Sequence, residues 1–194
     1  MSEAPLIVLA SSSPRRKELL TLAGLKFTVD AADYAEDLSL SLKPHTLAKF
    51  LAREKARAVS HKYRNALIIA ADTFIVFRSK LLGKPHTDRE AARMLTLLSG
   101  KSHSVITGYT VLDSGSGRTV SRAVETKVWF RRLSHAEIRA YVDTGEPLDK
   151  AGAYAIQGKG SLIVKKIEGD YCNVIGLPLA ALAETLRSFG VRLL

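Results

Sequence analysis

Leu6-Ile-Val-Leu-Ala-Ser-Ser-Ser-Pro-Arg-Arg16 is the stretch on which the fold turns. Leu6 to Ala10 is a short, unbroken apolar run and reads as a buried strand. Ser11 to Ser13 form a polar break. Pro14 then stands where a first helical residue belongs, with Ser13 as N-cap and Gly24 as the stop. Strand, polar turn and helix in that order make the opening unit of a chain that alternates the two kinds of element.

The alternation continues outward. Lys26 to Ala31 reads as a second strand, and Pro44 to about Lys62 as a helix with Leu47, Phe50, Leu51 and Ala58 on one face. Ala66 to Phe77 is a long apolar run split by Asp72-Thr73. Thr87-Asp-Arg-Glu90 is a capping box that opens a helix ending before Gly100. Ser104 to Asp113 and Thr119 to Arg131 read as paired strands around the turn Ser114-Gly-Ser-Gly117. Ser134-His-Ala-Glu137 is a second capping box, and Gly145 stops its helix. Ala153 to Glu168 reads as two short strands, and Pro178 opens a last helix that ends at Gly190. Interleaved helices and strands with one clear hairpin predict an α/β fold with a mixed sheet. No repeat or long linker interrupts the 194 residues, which are read as one domain, 1–194.

Charge and cysteine usage narrow the function. Lys and Arg total 29 against 19 Asp and Glu, a net charge of +10 that favours anionic partners over neutral ones. A nucleic-acid binder would interleave basic residues with aromatics, yet aromatics are 7% of the chain and dispersed, so nucleic acid is not the expected partner. No apolar run is long enough to span a bilayer, and no basic stretch precedes Leu6 to Ala10 as a signal peptide requires, so the expectation is a cytoplasmic protein with no membrane partner. The single Cys172 excludes an internal disulfide and a thiolate metal cage. The five histidines show no metal-ligand spacing. The chain lacks a Gly-x-x-x-x-Gly-Lys-Ser/Thr loop and a Gly-x-Ser-x-Gly elbow, which argues against a P-loop enzyme and an acyl-transfer hydrolase.

Five segments carry candidate chemistry. Ser11-Ser-Ser-Pro-Arg-Arg16 places hydroxyls and two arginines at a helix N-terminus, where unpaired N–H groups already favour an anion. Arginine in a first helical turn is unfavourable unless an anion answers it; the competing reading is a capped helix with solvated arginines. Asp72 interrupts an apolar strand, where an unpaired acid is costly, so it must face a cleft, hold a cation or pair with a base. A carboxylate there can position a divalent cation or activate water. Gly83-Lys-Pro85 holds Lys84 on a defined loop, either reaching a phosphate or forming a plain surface turn. Glu146-Pro-Leu-Asp-Lys-Ala-Gly-Ala-Tyr-Ala-Ile-Gln-Gly158 is rich in polar groups and glycine, and the Gln157 amide is suited to a base edge. Ile167-Glu-Gly-Asp-Tyr-Cys-Asn-Val-Ile-Gly-Leu-Pro178 has the same character before the last helix.

Taken together and in this order, the segments resemble the Maf family of nucleoside triphosphate pyrophosphatases. The resemblance rests on Leu9-Ala-Ser-Ser-Ser-Pro-Arg-Arg, Ala71-Asp-Thr, Gly83-Lys-Pro, Thr107-Gly, Asp149-Lys-Ala-Gly-Ala-Tyr-Ala-Ile-Gln-Gly and Asn173-Val-Ile-Gly-Leu-Pro, and covers nearly the whole chain. It implies an elongated mixed β-sheet with flanking helices, of the Maf and ITPase-like kind, with two lobes around a central cleft and often a homodimer. It implies cleavage between the α- and β-phosphates, giving a nucleoside monophosphate and pyrophosphate, with a divalent cation, magnesium or else manganese. By the same resemblance Ser11, Arg15 and Arg16 bind phosphate, Asp72 is the catalytic acid, Lys55 and Lys84 assist it, and Gln157 lies beside the base, with Thr73 and Lys150 also on the substrate. Glu36 matches an acid that follows the second strand, and it shares the metal with Asp72. The run Ala-Tyr-Ala-Ile-Gln-Gly resembles the branch that hydrolyses dTTP and UTP, rather than the 7-methyl-GTP branch, with clearance of non-canonical nucleotides as the task. Family members are also associated with arrest of septum formation, so a non-enzymatic cell-division regulator is the alternative from another class. One departure stands out: where the family usually has Asp-Gly-type turn residues after the Asp-Thr strand, this chain has Phe77-Arg-Ser-Lys80.

Overall fold

The computed structural model describes residues 5–31, 33–34 and 40–193. In chain order the elements are β1 (Leu6–Leu9), α1 (Pro14–Leu22), β2 (Thr28–Val29), α2 (Pro44–Ser60), β3 (Ala66–Phe77), β4 (Lys80–Leu82), α3 (Asp88–Leu98), β5 (Ser102–Asp113), β6 (Thr119–Phe130) and α4 (His135–Val142). Three 3-10 turns follow, at Glu146–Asp149, Ala151–Ala153 and Gly158–Leu162, and then β7 (Val164–Glu168), α5 (Tyr171–Ile175) and α6 (Leu179–Arg187).

The strands form one seven-stranded sheet ordered β2-β1-β3-β5-β6-β7, with β4 paired to β3. It is mixed, as expected. β1 runs parallel to β2 and to β3, whereas β4 is antiparallel to β3 and β7 to β6. The N-cap hydroxyls bond as expected at two helices, but the reciprocal box forms at one only, since at α3 the Glu90 carboxylate takes the His86 amide at 2.7 Å. The Thr87 hydroxyl accepts from the Glu90 amide at 3.2 Å. Ser134 and Glu137 make the full reciprocal box at α4. Ser13 does occupy the N-cap of α1, but its side chain makes no capping bond; the Ser11 hydroxyl takes the Ser13 amide instead.

Two sequence expectations change. The second strand shrinks to Thr28–Val29, the two residues in register with Val8 and Leu9 of β1. The two strands expected between Ala153 and Glu168 become 3-10 turns followed by the single strand β7. Gly152 (φ 66°), Ala153 (φ 64°) and Gly158 (φ 66°) all have left-handed backbone, which no strand accommodates.

The chain divides into two compact units. The first holds the described residues of Met1–Asp72, together with Thr107–Val124 and Gly176–Leu194. Its core includes Val8, Ala56, Val59, Ile68 and Ala70. Helix α2 lies hard against β5 in this unit, because Gly108 leaves room that no side chain would: a Cβ there would sit 2.1 Å from the carbonyl oxygen of Ala48. The second unit holds Thr73–Ile106 and Glu125–Ile175. Leu95, Leu98, Val128, Phe130 and Tyr154 fill its core. His103 is buried among them, its ring edge-on to Phe130 at 4.9 Å and to Tyr154 at 5.3 Å.

Candidate functional site

In the first unit, sheet register places the serine turn. The last residue of β1, Leu9, is paired with Ile69 of β3, three positions before Asp72. The turn that leaves β1 therefore starts alongside the acid. Within it the Ser11 hydroxyl accepts from the Ser13 amide at 3.2 Å and from Nη1 of Arg16 at 3.2 Å. Nε of Arg16 donates to the Gly176 carbonyl at 2.9 Å. These bonds help aim the guanidinium of Arg16, and one of its partners comes from the far end of the chain. Arg15 is half-buried beside it in the first turn of α1. That turn contains no acidic residue, so nothing on the helix answers its positive end.

Asp72 is buried, at 4% exposure, and so is Lys55, at 9%. Lys55 Nζ donates to Asp72 Oδ1 at 2.5 Å. The reach of Lys55 follows from the packing of α2. Ala48 and Lys55 are seven residues apart, about two helical turns, and so share a face. Gly108 lets that face approach β5, and the lysine at its other end then meets β3. Sequence reasoning left three fates open for Asp72, and pairing with a base is what the structure displays. A buried carboxylate matched by a buried ammonium is a costly arrangement for stability alone. It keeps two opposite charges out of water beside the serine-arginine turn.

The second unit carries the remaining candidates. Thr73, next on β3, is half-buried. Lys84 is exposed, anchored by the buried Pro85. Its loop is tied to that of Lys150, for the Gly152 amide donates to the Gly83 carbonyl at 2.9 Å. Lys150 is half-buried and paired with its neighbour Asp149. Gln157 is half-buried, and its side-chain amide makes no hydrogen bond to a described residue.

The first residue of the glycine-bearing segment, Glu146, has a role that the sequence does not assign to it. Glu146 accepts from the Tyr141 hydroxyl at 2.8 Å and from the amides of Gly160 at 2.9 Å and Lys159 at 3.1 Å. Burial acts to raise its carboxyl, but these three donors outweigh it and hold the group below its ordinary value. The available signal was the pair Gly158 and Gly160, which lets backbone close on a neighbour.

The fifth segment is structural. Asn173 is fully buried, and its amide donates to the Val105 carbonyl at 3.1 Å and the Thr126 hydroxyl at 3.0 Å. The segment's contribution to the serine-arginine turn is the Gly176 carbonyl, which accepts from Arg16. His103 is kept neutral by burial, which lowers its pKa to about 4. Among the described residues no three His, Cys, Asp or Glu side chains gather as a metal cage. Glu36, read as the second metal-associated acid, lies outside the described residues.

The family model described as "Maf-like protein" matches residues 6–189. A protein named "dTTP/UTP pyrophosphatase" from Methanosarcina barkeri is 51% identical over 186 residues, covering 95% of this chain and 94% of its own. One of the same name from Moorella thermoacetica is 49% identical over 185 residues, covering 95% of each chain. Another, from Bacillus pumilus, is 46% identical over 185 residues, covering 95% of this chain and 97% of its own. With the serine-arginine turn, the buried Asp72 and the glycine-rich loop all inside the matched span, the chain belongs to the Maf family.

Proposed function

We propose that the protein is a nucleoside triphosphate pyrophosphatase that hydrolyses dTTP and UTP to the monophosphate and pyrophosphate. The observation that carries this reading is the buried Asp72–Lys55 pair, in the same unit as the Ser11–Arg16 turn. Relatives about half identical in sequence and bearing that activity in their names support it.

Ser11, Arg15, Arg16 and the open N-terminus of α1 bind the polyphosphate through charge-assisted bonds. Lys55 holds the Asp72 carboxylate in one orientation. Asp72 takes a proton from water as the water oxygen bonds to the α-phosphorus; the bond from that phosphorus to the bridging oxygen breaks, and pyrophosphate leaves with the electron pair. Lys84 stabilises charge on the departing phosphates. Thr73, Lys150 and Gln157 bind the rest of the substrate, and Gln157 reads the pyrimidine through its amide, which has a donor and an acceptor side.

The donor chemistry suits a magnesium ion that arrives with the nucleotide. Magnesium is commonly held by one or two carboxylates plus phosphate oxygens and water, and does not need an all-protein cage. Asp72, with Glu36 as its partner, would hold it, and the ion would neutralise charge on the phosphates. No helix among the described residues is long and apolar enough to cross a membrane. A cytoplasmic homodimer of one-domain subunits that clears non-canonical pyrimidine nucleotides fits this chemistry.

A nucleotide panel with magnesium tests the reading, followed by pyrophosphate release. Preferred turnover of dTTP and UTP with one pyrophosphate per monophosphate is expected. Release of single phosphates would overturn the reaction type, and equal turnover of all bases would overturn the pyrimidine preference.

A further inference from the structure

We propose that Glu146 is a positioning residue that sets base preference by fixing the backbone on either side of Gln157. The inference rests on Gln157 reading the base, as proposed above.

The geometry is a brace on both flanks of that residue. On the near side, the Ala155 amide donates to the Tyr141 hydroxyl at 3.2 Å. On the far side, the Lys159 and Gly160 amides donate to the two oxygens of Glu146. The Tyr141 hydroxyl then donates to Glu146 at 2.8 Å, which closes the frame. Gln157 stands between the held positions with extended backbone, φ −95° and ψ 167°. Its side-chain amide has no described partner, so the direction it points is inherited from this backbone.

The two glycines of the loop are shaped to the same frame. A Cβ on Gly158 would lie 2.8 Å from Oε2 of Glu146, and one on Gly160 would lie 2.0 Å from the Ala155 carbonyl oxygen. A side chain at Gly158 would press on the carboxylate, and one at Gly160 on the Ala155 carbonyl and the Tyr141 hydroxyl. Three donors converge on Glu146, and a carboxylate is the side chain that answers all three, because it accepts at both oxygens and donates at neither. An amide in its place turns an N–H toward a backbone N–H.

The test compares Glu146→Gln, Tyr141→Phe, Gln157→Ala and the double variant Glu146→Gln/Gln157→Ala, on full-length protein with magnesium. The substrates are dTTP, UTP, CTP and GTP. In Glu146→Gln, KM for dTTP and UTP rises by about tenfold, the order expected of a misplaced binding group. The preference over CTP and GTP narrows, while kcat changes less because Asp72 and Lys55 are untouched. In Gln157→Ala the preference is already lost, and adding Glu146→Gln narrows it no further. Tyr141→Phe keeps the carboxylate and both amide bonds, so it folds even if Glu146→Gln does not, and it narrows the preference in the same direction. A folded Glu146→Gln or Tyr141→Phe whose base preference matches the parent, beside a Gln157→Ala that has lost it, overturns this inference alone. Gln157→Ala that retains the preference overturns both this inference and the role of Gln157.

Discussion

Asp72 and Glu146 are both carboxylates drawn into the protein, and they are answered by opposite means. Asp72 meets a charged partner, the ammonium of Lys55 at 2.5 Å. Glu146 meets a hydroxyl and two backbone amides. The difference separates chemistry from scaffolding. The pair with Lys55 orients the Asp72 carboxylate, and a carboxylate so held can still accept a proton. Backbone amides cannot leave, so Glu146 stays bound and holds its loop. The first unit keeps charge that can be redistributed; the second keeps fixed dipoles and a neutral core, with His103 uncharged among aromatic rings.

The pair in the first unit offers the largest test of this contrast. Asp72→Asn preserves shape and one acceptor for Lys55 but cannot take a proton. Turnover of dTTP and UTP falls by about 10³-fold, within the range for a lost general base. Lys55→Met is equally inactive and also strands a buried charge, which costs about 3–5 kcal/mol of stability. Combining Asp72→Asn with Lys55→Met removes both charges and restores most of that stability while activity stays absent. Urea denaturation and pyrophosphate release read the two effects separately. A double variant as unstable as Lys55→Met alone would break the comparison, since Asp72 and Lys55 would then not be answering one another.

His103 tests the neutral side. Folded, it resists protonation down to about pH 4, against an ordinary value of 6.5. The unfolded chain therefore binds a proton that the folded chain refuses across that window, and stability falls as pH drops from about 6.5 to 4. The loss totals about 3 kcal/mol at 1.36 kcal/mol per unit. Asp30, Asp113 and Glu146 also sit below their ordinary values, but their contributions are lost lower, as pH falls through the carboxylate range. His103→Gln keeps a partner for the Tyr154 hydroxyl, and it flattens the stability curve between pH 4.5 and 6.5, roughly the histidine's own window. An unchanged slope there means the ring does not stay neutral in the folded core.

These contrasts were unevenly legible in the residues themselves. Helix starts were read well, because Thr87 and Ser134 cap through local bonds that need only neighbours three positions away. Asp72 was visible for a similar reason: one acid inside an apolar strand is conspicuous. What it would pair with was not visible, since Lys55 is brought to it by a glycine on a third element. The aim of Arg16 was hidden too, because it depends on a carbonyl 160 positions away. The stretch from Ala153 to Glu168 reads as two strands, yet only Val164–Glu168 is one. Its apolar residues pack, but its path is set by left-handed backbone and by Glu146 gathering amides, and neither leaves a periodic trace. Of the candidate site residues, Glu36 is the one that lies outside the described residues.

The smallest effect concerns how far the second unit relies on fixed backbone. Arg78 and Ser79 form the two-residue turn between β3 and β4, with Phe77 paired to Lys80. Both have positive φ, 49° and 63°, as the tight hairpin turn requires, although neither is glycine. Phe77-Arg-Ser-Lys80 thus holds left-handed backbone at both central residues without a glycine. Left-handed backbone costs an ordinary residue about 1–2 kcal/mol. Glycine relieves that but loses about 0.5–1 kcal/mol to its freedom in the unfolded chain. Ser79→Gly should therefore raise Tm by roughly 1–3 °C in thermal unfolding. Arg78 is left in place because its guanidinium lies 5.3 Å from the centre of the Phe77 ring, a contact that glycine would remove. A fall in Tm would mean that the Ser79 side chain offsets its own strain. The turn would then be held by a side chain, as Asp72 is, and the division between the two units would be one of chemistry without a matching division in what holds them.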